Sequence, residues 1–441
     1  LPLNKPLVFG AIADDLTGGS ELASMLVARG VRTRFTVGPA ESFAQGFDAH
    51  VIALKTRVIP VEQAISQVLR AAESLIAQGA RQIFFKYCAT FDSTPQGNIG
   101  PCSEALMDRL GARYALFCPA LCETQRTVYQ GHMFGGAQLL AESPKRNDPL
   151  TPMTDSNLVR VLQSQARRKA GLVNYQVVDA GAQSIRMACE TLSGEGRSLL
   201  LVDTLWERHL ASIAQASADM PLLTGNSSVA AHLPPVWQER GLVSLEQSAT
   251  LPAVDGPAAV LVGSVAEQTM RQIDEFSPRH PVLTIDMDRA FAGDDLVAEA
   301  RDFARTAVAA GTPFAISTAQ VQSVVEKVQS RYGRDQAAAK AEHLLSEIAK
   351  SIVFELGVRR LLIAGGETSG AIIAALGILE MTVGPYQGPG IARAVSSSPF
   401  PLALMLKSGK LGKPDIFETV LNDMRQELTY SPATEWPPRR V

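Results

Sequence analysis

The sequence predicts an α/β protein of two domains, each with a largely parallel sheet, and three observations predict it. Short apolar runs alternate with stretches of helical apolar spacing from one end of the chain to the other. The alternation falls into two series, separated by a stretch poor in periodic apolar residues. The 441 residues are enough for two or three domains.

In the first series the apolar runs 7–13, 51–54, 82–86, 114–117, 173–178 and 198–202 read as strands, because each is short, apolar and bounded by turn chemistry. Helices are expected at 21–29, where Leu22, Met25 and Leu26 share a face, and at 61–77, 99–110, 156–168 and 182–192. The second series has strands at 258–262, 282–285, 314–317 and 360–364, with helices at 296–309 and 336–356. Segment 246–257 ends in the turn residues Asp255-Gly256-Pro257 and is taken as the connection between an N-terminal domain, 1–245, and a C-terminal domain, 258–430. The tail 431–441 is rich in proline and is expected to be loosely held.

Composition narrows the function. Hydrophobic residues make up 46% and charged residues 19%, the balance of a soluble protein with a full core. With 41 basic and 44 acidic residues and a formal net charge of −3, the chain has no excess for nucleic acid. Its longest basic run, Arg167-Arg168-Lys169, reads as a solvated helix end. No apolar stretch is long enough to span a membrane, and no secretory signal pattern opens the sequence. Five dispersed cysteines fit reduced thiols in a cytoplasmic protein, and no zinc-type or histidine-pair pattern appears.

The most informative segment is Asp14-Asp15-Leu16-Thr17-Gly18-Gly19, between the first strand and its helix. Ligands of parallel α/β sheets bind at the carboxyl ends of strands. Two adjacent carboxylates there suit a cation, a polyol hydroxyl network or a general base. A helix cap accounts for one of the two aspartates. Thr17 adds a hydroxyl, and Gly18 lets the backbone come close.

Further polar loops follow other strands. Lys86 ends one strand and is followed by Asp92, Ser93, Thr94 and Asn98, a set suited to an anion and to hydroxyls. Arg126 could take an anion bidentately or form a surface ion pair. In the second series Gly365-Gly366-Glu367-Thr368 and Lys407-Ser408-Gly409 each follow a strand, and Ser264 opens a third such loop. Glycines let backbone amides approach phosphate. Neither a P-loop nor a dinucleotide fingerprint is present, so a nucleotide reading cannot come from generic motifs.

On these residues the chain resembles the four-carbon acid sugar kinase family. The matching stretches are Ala13-Asp-Asp-Leu-Thr-Gly18, Phe85-Lys-Tyr-Cys88, Phe91-Asp-Ser-Thr94, Gly97-Asn-Ile-Gly-Pro101, Arg126-Thr-Val-Tyr-Gln-Gly131, Pro149-Leu-Thr-Pro-Met-Thr-Asp-Ser156, Ala364-Gly-Gly-Glu-Thr-Ser-Gly370 and Lys407-Ser-Gly409. Lys-Tyr-Cys and Phe-Asp-Ser-Thr look most like the 3-oxo-tetronate kinase branch; other branches act on threonate or erythronate. The resemblance implies an acid-sugar domain followed by an ATP domain, with the site in the cleft between them. It implies transfer of the ATP γ-phosphate to the C4 hydroxyl of a four-carbon acid. Carried over by position, Asp14, Asp15, Lys86, Asp92, Ser93 and Arg126 face the substrate, and Ser264, Gly365, Gly366, Glu367, Thr368 and Gly409 face ATP; Thr17 and Gly18, beside the two aspartates, are also taken as substrate-binding. The chain departs from the family pattern at Glu21 (Asp), Gln125 (Gly), Asp148 (His), Lys410-Leu411 (Asn-Phe) and Gly225-Asn226-Ser227-Ser228 (Gly-Gly-Ser-Gly).

The expected protein is an ATP- and Mg²⁺-dependent sugar-acid kinase, with Asp14 or Asp15 as the base, Lys86 and Arg126 on the substrate carboxylate, and Lys407 with the glycine loops on the phosphates. Its ligands are small molecules, and it is compatible with a homo-oligomer. A threonate or erythronate kinase, a nicotinamide-dependent oxidoreductase and a non-catalytic sugar-acid or nucleotide sensor are the alternatives.

Overall fold

The computed structural model describes residues 6–40, 46–148, 151–246, 248–320 and 322–431. The chain divides into two compact units, one running to Ser248 and the other spanning Ala249–Tyr430.

The first unit carries an eight-stranded parallel sheet. Its order is Thr33–Val37, Ala49–Ala53, Phe9–Ala13, Gln82–Lys86, Leu222–Gly225, Ala115–Cys118, Arg197–Val202 and Lys169–Val173. The register aligns the carboxyl ends. Ala13 lies opposite both Ala53 and Lys86, and Gly225 lies opposite Lys86 and Cys118. From Phe9–Ala13 the chain first moves to one side of the sheet and then returns to pair Gln82–Lys86 on the other. That reversal opens a crevice beyond these strand ends, where α/β sheets take their ligands.

The strands are buried on both faces, as their continuous apolar runs require. Helix Val61–Ala77 contributes Ala64, Val68, Ala71, Ala72 and Leu75, all buried at helical spacing. They join Ile12, Ile52, Phe85, Tyr87, Phe91 and Phe117 in one core. Burying a leucine or phenylalanine here contributes about 1.5–3 kcal/mol each. A small antiparallel sheet, Arg126–Tyr129, His132–Gly135 and Gln138–Leu139, is set on this unit through the bridge between Val128 and Thr204.

The second unit carries a sheet in the order Val282–Thr284, Phe314–Ser317, Ala258–Val262, Arg360–Ala364, Leu402–Lys407, Ile391–Ser396 and Glu380–Val383. The first five strands are parallel, and Ile391–Ser396 pairs antiparallel with both of its neighbours. Val262, Ala364 and Lys407 end three adjacent parallel strands side by side. A separate pair, Ala249–Leu251 with Leu428–Tyr430, joins the beginning and end of the unit. Part of the expected connection 246–257 is therefore strand, and Gln247 lies outside the described residues, as do Pro149, Leu150 and 432–441.

Several elements differ from expectation. The strand expected at 173–178 is Lys169–Val173, and the Asn174 side chain then caps the helix Tyr175–Asp179 by accepting from the Val177 amide. Helix Leu158–Gln165 stops before the basic run, so Lys169 opens a strand instead of closing a helix. The helix expected at 336–356 is Arg334–Lys350, followed by a π turn at Ser351–Glu355. No helix of the described residues is long and apolar enough to cross a membrane.

Candidate active site

In the first unit the acidic loop is tied to a residue that sequence reasoning missed. Arg57 follows the strand Ala49–Ala53, and its backbone is drawn to the first strand's end, with the Thr56 amide donating to the Asp14 carbonyl at 2.9 Å. Its Nε and Nη2 donate to the two oxygens of Asp14 at 2.8 Å each, and Nη2 also donates to Asp15 Oδ1 at 2.8 Å. The signal available in the sequence was a basic residue just past a strand candidate's carboxyl end. Asn98 holds this segment in place by donating from Nδ2 to the carbonyls of Thr56 and Ile59 at 2.7 and 2.9 Å.

Asp15 is also the N-cap of helix Leu16–Ala28, accepting from the Gly18 amide at 3.1 Å. The cap reading and the paired-carboxylate reading are thus both present in one residue. Lys86 is 3% exposed, and its Nζ stands 3.9 Å from Asp15 Oδ1. All these contacts fall on Oδ1; among the described residues no hydrogen bond reaches Asp15 Oδ2. Burial pushes the Asp14 carboxyl above the usual carboxylate range, more than Arg57 lowers it. For Asp15 burial also pushes up, but Arg57 and Lys86 outweigh it and hold the group below that range. Neighbouring carboxylates with diverging proton affinities mark a place where acid and base roles can be divided. Gly18 has no room for a side chain, because a Cβ would overlap Lys86 Nζ and Asp15 Oδ1. Among the described residues the buried Thr17 hydroxyl has no hydrogen-bond partner, a donor left over for a ligand.

The loop after Gln82–Lys86 adds a second polar group. Asp92 accepts from Thr90 Oγ1 at 2.5 Å and from Lys145 Nζ at 2.7 Å on one oxygen, and from Cys88 Sγ at 3.2 Å on the other. Lys145, also missed, pairs with Asp148 at 2.8 Å. Cys88 lies within electrostatic reach of Arg57 as well as of Asp92 and Lys145, so the two groups adjoin. Ser93 Oγ accepts from Gln165 Nε2 at 2.7 Å. Arg126 is not drawn into these groups; its side-chain hydrogen bond is to Thr124 Oγ1 at 2.8 Å.

Two departures from the family pattern meet here. Ser227 Oγ donates to the buried Glu21 carboxylate at 2.9 Å, and Asn226 caps the short helix Ser227–Ala230. Gln125 takes a left-handed backbone, φ +57°, at the position where the family carries glycine.

In the second unit Ser264, Gly365, Thr368, Lys407 and Gly409 gather at the aligned strand ends. The Gly263 and Ser264 amides donate to the Ala364 carbonyl, and the Gly365 amide donates to the Lys407 carbonyl. Gly365 has φ +133° and opens helix Gly366–Ala375, with Glu367 in its first turn. A Cβ on Gly409 would overlap Ser264 Oγ, and one on Gly263, beside Ser264, would overlap Thr368 Oγ1. Lys407 is fully buried; its Nζ donates to Thr269 Oγ1 at 3.3 Å. Among the described residues it has no carboxylate partner, and burial pulls its ammonium down to about 8. Burying a cation this way is costly unless an anion meets it. Among the described residues no three His, Cys, Asp or Glu side chains group as a metal site.

Comparison with known proteins finds two family models in tandem. A sugar-binding N-terminal domain matches residues 9–233, and a nucleotide-binding C-terminal domain matches residues 259–417. The chain is 42% identical to the 3-oxo-tetronate kinase of Burkholderia multivorans, over 95% of this chain and 97% of that one. It is 39% identical to the Salmonella typhimurium 3-oxo-tetronate kinase, over 93% and 98%. Among solved structures it is similar to a Salmonella typhimurium protein with TM-score 0.82 and 36% identity, over 93% of this chain and 98% of that one. A Haemophilus influenzae protein matches with TM-score 0.75 and 33% identity, over 95% and 100%.

Proposed function

Since the chain belongs to the four-carbon acid sugar kinase family, we propose that it is an ATP-dependent kinase that phosphorylates the C4 hydroxyl of 3-oxo-tetronate. The first unit binds the acid and the second binds ATP. The observation that carries the nucleotide half is Lys407, a fully buried ammonium without a carboxylate partner among the described residues, set beside three glycine-bearing loops. A polyphosphate supplies the missing negative charge.

The acid's hydroxyl is received by Asp15. Its Oδ1 is fixed by Arg57 and Gly18, while Oδ2 is open to accept the hydroxyl proton. Asp14, held by both arms of Arg57, is a positioning residue. Lys86 and the Thr17 hydroxyl stand beside Asp15 to hold the acid. In the step itself the C4 oxygen bonds to the γ-phosphorus, the bond from that phosphorus to the β-phosphate bridging oxygen breaks, the hydroxyl proton goes to Asp15, and ADP leaves. Transfer requires the acceptor oxygen to come within about 3–3.5 Å of the γ-phosphorus.

Magnesium fits this donor set as a companion of the nucleotide. It binds through phosphate oxygens and one or two carboxylates and needs no protein cage. Glu367, in the first turn after the Gly365 loop, would be the carboxylate to hold it. The ion would neutralise phosphate charge, while Lys407 and the loop amides orient the chain of phosphates.

Thermal melting with ligands tests the assignment. ATP or ADP with Mg²⁺, and separately the sugar acid, are expected to raise the melting temperature. Stabilisation by NADH with none by the adenine nucleotides would overturn it.

A further inference from the structure

We infer that one polar face of the helix Glu267–Phe276, formed by Gln268, Thr269 and Gln272, positions the loop 409–413 to receive the nucleotide's phosphates. The inference rests on the ATP reading of the second unit.

All three side chains donate to backbone carbonyls of that loop. Thr269 Oγ1 reaches Gly409 O at 2.7 Å, and Gln268 Nε2 reaches Gly412 O at 2.6 Å. Gln272 Nε2 reaches the carbonyls of Leu411, Gly412 and Lys413 at 3.2, 3.2 and 3.0 Å. In a planar trans peptide the next residue's N–H points opposite to the carbonyl. Turning the carbonyls of Gly409, Leu411 and Gly412 onto the helix therefore turns the amides of Lys410, Gly412 and Lys413 away from it. Among the described residues none of these three amides has a hydrogen-bond acceptor. Successive outward amides form an anion-binding concavity, and Gly412, at φ +96°, supplies the backbone freedom it needs.

Thr269 does more than tether the loop. Its single hydroxyl hydrogen goes to the Gly409 carbonyl, which can only accept. Toward Lys407 it can then only accept, and the ammonium can only donate. Thr269 thus joins the buried cation and the loop, and both approach the same phosphates. Thr269 is fully buried, five residues past Ser264 on the helix that the Ser264 loop opens.

The test is steady-state kinetics of Thr269→Val and Thr269→Ser in the whole protein, varying ATP and the acid separately. The valine variant, which keeps the volume and loses the hydroxyl, is expected to raise the KM for ATP on the order of tenfold. Its KM for the acid stays within about twofold of the parent, and the serine variant restores ATP affinity. If Thr269→Val does not fold, the half-buried Gln268→Met replaces it, with a rise in KM for ATP of at least about threefold expected. An unchanged KM for ATP in the folded variant, or equal loss for both substrates, overturns the inference. Failure of the parent protein to bind ATP at all overturns the underlying reading instead.

Discussion

Arg57 grips Asp14 with two hydrogen bonds of 2.8 Å and sends the same Nη2 to Asp15, so one guanidinium fixes both carboxylates of the acidic loop. A lysine cannot reproduce that fork. Arg57→Lys is therefore expected to fold, to melt at lower temperature, and to lose turnover on the order of 10²-fold. Calorimetry and steady-state assays check this; parent-like turnover would remove Arg57 from the site.

The same relationship sets the acid side of the pH profile. Asp15 is held below its usual range, so its charge contributes stability that is present above the unfolded value and lost as pH falls through the lower folded one. In the proposed role of base it stays ionised to lower pH than an ordinary carboxylate. The Asp15 limb of turnover is expected below the ordinary carboxylate value, and Arg57→Lys, with its weaker hold, is expected to move that limb upward. A pH series of kcat on both proteins measures it.

Lys407 gives the opposite limb. Its ammonium titrates near 8 when buried without phosphate, and affinity for ADP is expected to weaken as pH rises through that value. The unliganded protein behaves inversely. Between about 8 and the ordinary lysine value the unfolded chain holds the proton and the folded one does not, so stability from this group rises with pH. Calorimetric ADP titrations from pH 7 to 9 check the first, and Lys407→Met is expected to abolish the pH dependence.

Gly409 is fixed by contact with Ser264. Gly409→Ala forces Ser264 or the loop to shift, because the added carbon overlaps Ser264 Oγ. The KM for ATP is expected to rise on the order of tenfold, with little change in the KM for the acid. An alanine variant with parent-like ATP affinity would contradict the placement of these two residues at the phosphates.

Gln125 carries a left-handed backbone that costs a side-chain residue about 1–2 kcal/mol. Gln125→Gly removes that cost but loosens the unfolded chain by about 0.5–1 kcal/mol, so it is expected to be neutral or slightly stabilising. Gln125→Val is expected to destabilise. Denaturant unfolding of the two variants separates them.

Much of this was legible in the sequence because burial on both faces writes a parallel strand as an apolar run. Strands Gln82–Lys86, Ala258–Val262, Phe314–Ser317 and Arg360–Ala364, and helices Val61–Ala77, Ile99–Leu110 and Leu296–Ala309, lie where the pattern puts them. The strand Thr33–Val37 was missed because Thr33, Arg34 and Thr36 interrupt its apolar run; Arg34 and Thr36 are nonetheless buried. The stretch Asn174–Val178 was misread because a capping asparagine outweighed β-branched residues. In the site, Asp14, Asp15 and Lys86 stood out as charges at strand ends. Arg57 and Lys145 did not, because their roles come from partners 42 and 53 residues away, at Asp15 and Asp92. Thr269 stands in the stretch that Ser264 opens, but its role is silent in sequence for the same reason, since its partners Lys407 and Gly409 are 138 and 140 residues further on.

The proposed function rests on phosphoryl transfer to a four-carbon acid with Asp15 as the base. Its most direct test is a coupled ADP-release assay with 3-oxo-tetronate, threonate and erythronate, run on the parent protein and on Asp15→Asn, with the product identified by phosphorus NMR. Turnover with 3-oxo-tetronate above the other two acids, a 4-phosphate product, and a fall of about 10² or more in the folded Asp15→Asn protein are expected. Binding of the acids with no ADP release, or undiminished turnover in Asp15→Asn, would contradict it.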